Sequence, residues 1–178
     1  MNRIEKSEEK FKQLFGEGVP GTHATDPDFQ DILSYFIFGE VFYQGNLDDK
    51  QRELITLVVL PTNQTLPQLK AYVSAALNVG LTPVEIKEAV YQCAPYIGFP
   101  KTLNAINEVN EVFKAKNIAL PVESQKTVDE DNRFQKGLAT QGEIFRDGIK
   151  KNVGECSIKS KAYAGISFCF LLRRFLYS

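Results

Sequence analysis

The chain has 178 residues, of which 43% are hydrophobic and 24% charged, the composition of a soluble globular protein with enough apolar side chains for a core. A formal net charge of −1 excludes a global basic field for nucleic acid. The three cysteines, Cys93, Cys156 and Cys169, are widely spaced and form no CxxC or metal-ligand cluster, which points to a reducing, cytoplasmic setting without metal or other cofactor.

The opening MNRIEKSEEKFKQ is charged throughout and does not read as a secretory signal. Residues 4–15 place Ile4, Phe11, Leu14 and Phe15 on roughly one helical face, and GEGVPGT breaks the pattern. The only histidine, His23, falls in this Gly/Pro-rich stretch, where a loop position is expected. Asp26-Pro27 suits a helix start, with Asp as cap and Pro in the first turn. The spacing predicts one helix through FQDILSYFIFGEVFY, ending at Gly45-Asn46. Its apolar positions run nearly all round, which implies burial on more than one side. The aromatic stripe of Tyr35, Phe36, Phe38 and Phe42 reads as core or interface, or as the lining of an apolar pocket.

A third helix is predicted from the Asp48 cap through DDKQRELITLVVLPT, with Pro61 marking its end; its apolar run also fits a short buried strand. The fourth, LPQLKAYVSAALNVG, closes on Gly80. Thr82-Pro83, with Glu85 three residues after the cap, restarts a helix at once. That fifth helix, residues 83–98, presents Val84, Ile86, Ala89, Val90, Cys93 and Ala94, and Cys93 reads as a buried, inert thiol. A sixth, residues 100–116, carries Leu103, Ile106, Val109, Val112 and Phe113. The apolar stripes of helices two and six suit burial between subunits. LPVESQKTVDED reads as a linker, and NRFQKGLATQGEIFRDGIKK as another helix. This last helix loosely echoes EKFKQLFGEGV near the N-terminus. The remainder, NVGECSIKSKAYAGISFCFLLRRFLYS, reads either as a truncated or frame-altered second module or as a basic amphipathic peptide. The longest apolar runs fall well below the roughly 20 residues that span a bilayer.

RELITLVVL, and above all AALNVGLTPVEIKEA followed by YIGFP, resemble the carboxymuconolactone decarboxylase family. The resemblance covers about residues 25–115. It implies an all-α, AhpD-like bundle of about six helices, here with an extra helix and an irregular C-terminal tail. The expected division is 1–24 as an N-terminal helix and loop, 25–120 as the module, 121–132 as a linker, and 133–178 as a partial second module or tail. Family members resemble homo-oligomers, commonly trimers or hexamers.

The family's peroxide-reducing branch resembles a pattern of Glu, CxxC and His. On this chain the Glu falls on Glu53, the two cysteines on Thr65 and Gln68, and the His on Tyr72. Neither Thr nor Gln forms a disulfide, and a phenol with a pKa of about 10 is a poor base. Peroxiredoxin activity is therefore disfavoured whatever the family label. The decarboxylase branch implies a lyase acting on a small carboxylated lactone or related acid. Glu53 and Tyr72 are then the catalytic candidates, and Arg52, Thr65, Gln68 and Tyr96 the substrate-binding ones. Two readings stand for Glu53, an exposed helix charge or a retained pocket acid. Two also stand for Arg52, a solvated charge or a carboxylate clamp. The alternative function is a non-catalytic oligomeric binding module that has lost the family's Cys and His. The expected partner is a small carboxylate, with no nucleic acid and no membrane span.

Overall fold

The computed structural model describes residues 1–17 and 24–145. Among them every regular element is helical: α1 (Arg3–Phe15), α2 (Pro27–Ile37), a 3-10 turn (Val41–Tyr43), α3 (Asp49–Asn63), α4 (Leu66–Asn78), α5 (Pro83–Tyr91), α6 (Ala94–Ile97), α7 (Phe99–Ala115) and α8 (Arg133–Phe145). The strand alternative for residues 54–60 is thereby set aside. His23, Cys156, Cys169 and both readings of the C-terminal tail lie outside the described residues.

Local sequence sets three helix starts. Asn2 accepts from the backbone N–H groups of Ile4 and Glu5, and Glu5 reaches back to the Asn2 N–H. Asp48 accepts from Gln51 N at 2.7 Å, and Thr82 Oγ1 from Glu85 N at 3.2 Å, each answered by the side chain three residues on. Asp26 departs from expectation. It starts α2 by position, but its carboxylate makes no capping bond and instead accepts from Thr25 Oγ1 at 2.6 Å.

Three helix boundaries also differ from the sequence prediction. α2 stops at Ile37, and Gly39 just beyond it sits against the start of α1. A Cβ there would meet Arg3 O at 2.3 Å and Tyr35 O at 2.6 Å. α3 runs past Pro61 to Asn63 and closes on Gln64 in the left-handed region, φ 57°. The Gln64 side chain donates to Pro61 O at 2.6 Å and Lys101 O at 3.2 Å and accepts from Asn104 Nδ2 at 3.1 Å, which offsets that strained conformation by tying it to α7. The predicted fifth helix breaks after Tyr91, where Pro95 has no N–H for the Tyr91 carbonyl, and a short α6 leads to Gly98 at φ 84°.

α4 lies at the centre and packs against α1, α3, α5 and α7. One core joins α3, α4, α5 and α7 through residues such as Leu57, Leu69, Val73, Ile86, Val109 and Phe113. A smaller one joins α1, α2 and α4 around Leu14, Phe38 and Ala75. The expectation that α2 is buried on several sides is not met in the single chain: Phe29, Ile32 and Phe36 are exposed. α7 buries Ala105, Val109, Val112 and Phe113 and leaves Phe99 and Leu103 exposed.

Candidate active site

Glu53 stands one turn into α3, on the same face as Leu57 and Pro61, which turns it inward. It is fully buried, at 0% exposure, which overturns its reading as an exposed helix charge. Neither carboxylate oxygen has a hydrogen-bond partner among the described residues. Burial and, secondarily, the nearby Asp49 carboxylate push its pKa up to about 8, against an opposing pull from Lys10. Lys10 comes from α1 and is itself buried. Its Nζ donates to Asp49 Oδ2 at 2.7 Å and Gln13 Oε1 at 2.8 Å.

Tyr72, on α4, is half-buried, with its ring packed edge-on to Phe15 at 5.3 Å. Burial and then the charge of Glu53 push its phenol up to about 12. The ring forms part of the wall of a cavity of about 890 Å³ between α1, α2, α3 and α4. Phe11 and Phe15 wall it from α1, Phe29 and Leu33 from α2, and Thr56 and Leu60 from α3. Gln68 lies one turn before Tyr72 in the same wall. Among the described residues no Lys or Arg lines the cavity, and its charged side chain is Asp26. Glu53 sits one turn before Thr56 on the same helix, behind that wall.

The other candidates are placed elsewhere. Arg52 donates from its guanidinium to the carbonyls of Leu47 and Val41, each at 3.2 Å, and to that of Gln44, and lies over the Phe42 ring. It thus holds the 41–47 turn. Thr65 donates to Leu60 O at 3.3 Å on an exposed corner. Tyr96 is 78% exposed on α6 and does not line the cavity. Cys93 is buried, its thiol close to the carbonyls of Ala89 and Val58 and pushed up to about 11, as an inert thiol should be. Sequence reasoning missed Lys10, Phe11, Phe15, Asp49 and Thr56. Thr56 was legible, three residues after Glu53 on one helix. The α1 contribution was not, because it depends on packing between segments distant in sequence.

A buried, proton-holding acid thus stands behind a mostly apolar cavity on the α3–α4 pair of an all-helical bundle. The chain belongs to the carboxymuconolactone decarboxylase family, whose model matches residues 27–111. It is 36% identical over 92 residues to a 4-carboxymuconolactone decarboxylase of Acinetobacter baylyi, covering 52% of this chain and 69% of that one. It is 34% identical over 117 residues to a nitrosuccinic acid decarboxylase of Metarhizium robertsii, covering 56% and 81%. A 15.0 kDa protein of Paracoccus denitrificans is 33% identical over 85 residues, covering 47% and 63%. α1, with Lys10, Phe11 and Phe15, lies outside the matched family span.

Proposed function

We propose that the protein is a lyase that decarboxylates a small carboxylated lactone or related acid in the cavity between α1 and α4. The observation that carries this reading is Glu53: fully buried, without a hydrogen-bond partner among the described residues, and held at about 8, hence protonated near neutral pH. Decarboxylation breaks a carbon–carbon bond. Carbon dioxide leaves, the electron pair stays on the remaining carbon and spreads into the adjacent carbonyl, and that carbon then takes a proton. We assign that proton to the Glu53 carboxyl, which stands behind the Thr56 wall and reaches the cavity through a shift of that wall. Tyr72, neutral throughout the physiological range, donates a hydrogen bond to the developing enolate oxygen from the cavity wall. Lys10 favours the carboxylate left on Glu53, which is reprotonated through the same opening of the wall before the next turnover. The step needs no further co-reactant. Gln68 supplies the polar contact that orients the acid, and Arg52, Thr65 and Tyr96 take no part in it.

The two decarboxylase relatives support this class of reaction. A second reading, a non-catalytic binding module, is favoured by one observation: no Lys or Arg lines the cavity among the described residues, so nothing there clamps a dianion. Release of carbon dioxide from 4-carboxymuconolactone and from nitrosuccinic acid separates the two, with peroxide reduction measured alongside. Turnover of one acid is expected, with Glu53→Gln lowering kcat by about a hundredfold or more. Binding of both acids without turnover by the wild type would favour the binding module.

A further inference from the structure

A second cavity, of about 580 Å³, lies between α5, α7 and the segment 120–126. It shares no lining residue with the cavity of α1–α4. At its wall is Lys87, which is only 3% exposed. The Lys87 ammonium donates to Asn110 Oδ1, and the rings of Tyr91 and Phe113 lie 5.7 and 5.9 Å from it. Among the described residues it forms no salt bridge. A buried ammonium with one neutral acceptor and two aromatic rings keeps unused N–H donors and has no anionic partner among the described residues, a costly arrangement in a protein interior. Burial accordingly lowers the Lys87 pKa from its ordinary value.

The surroundings narrow what would compensate it. Glu88 lines the same cavity, and burial raises its carboxyl above its ordinary value. Glu123 and Lys126 are exposed on the 120–126 segment and offset one another. With Lys87 as the one buried cation, the site suits a single negative charge better than a dianion. Tyr91, Ile106 and Val122 offer apolar surface beside it.

We infer that this cavity binds a small organic monoanion, a carboxylate with an apolar body. Its carboxylate sits on Lys87 Nζ, with Asn110 Nδ2 as a second donor, and its body lies against Tyr91, Ile106 and Val122. The site is separate from the one proposed for decarboxylation and stands whether or not that reaction occurs.

The test is titration of the full chain with benzoate, and in parallel with inorganic phosphate, followed by backbone amide NMR. Benzoate at millimolar concentration is expected to shift Lys87, Tyr91, Asn110 and residues 120–126, with phosphate much the weaker ligand. Lys87→Met removes the charge and is expected to weaken benzoate binding about tenfold or more. Asn110→Asp gives the ammonium a built-in counter-ion; it pairs the buried charge, so the fold is kept while benzoate binding falls by a similar factor. Unshifted resonances in this cavity, or undiminished binding by Asn110→Asp, would overturn the inference. So would phosphate binding as well as benzoate. Shifts confined to Phe11 and Tyr72 would also overturn it, while leaving the decarboxylase reading intact.

Discussion

Glu53 concentrates the chemistry and also carries a cost. Its pKa rises from 4.5 to about 8 on burial, so between those values the native state binds more protons than the unfolded chain. Stability contributed by the protonated acid is present in full below about 4.5 and is lost as pH rises through 8. The whole excursion is worth at most about 5 kcal/mol. Denaturant unfolding at a series of pH values should show the wild type weakening over this window and Glu53→Gln staying nearly flat; equal slopes would place Glu53 in contact with water. Lys10 tests the same electrostatics from the other side. It lowers the Glu53 pKa and neutralises Asp49, so Lys10→Met should raise that pKa. The wild type should lose decarboxylation rate as pH rises through about 8, and the variant should lose it at higher pH. A rate profile that does not move would remove Lys10 from the site.

At the scale of elements, the helix starts at Asp48 and Thr82 were legible because a cap and its box lie within four residues of one another. The lengths of α2 and α3 were not. Past the end of α2 Gly39 meets Arg3 from another helix, and past Pro61 the end of α3 is fixed where Gln64 is held by Lys101 and Asn104 of α7. Both contacts act between residues more than thirty positions apart. Gly39→Ala should therefore lever α1 away from α2 and lower stability by about 1–3 kcal/mol, read as a drop in Tm. Since α1 supplies Phe11 and Phe15 to the cavity wall, substrate binding should weaken with it.

For the whole molecule, the bundle buries its centre on α4 but leaves Phe29, Ile32 and Phe36 of α2 exposed as an i, i+3, i+7 stripe. We propose that this stripe is covered by a second copy of the chain, in line with the homo-oligomer expected from sequence. Ile32→Asp should then reduce the mass measured by analytical ultracentrifugation to that of one chain. A wild-type protein that is already monomeric would refute the proposal. Among the described residues no helix is long and apolar enough to cross a membrane.

By itself the sequence determined the main helix starts, because periodicity and capping are local, and its motifs carried the resemblance that led to the family and the all-helical class. It also singled out Glu53 and Tyr72, but could not say whether Glu53 was wet or dry. Only the tertiary structure decided that, by closing α1 and its Lys10 over the site and by spending Arg52 on the 41–47 turn. Burial is a sum over neighbours from several helices, and the protonation state of an acid follows that sum rather than its place in the chain.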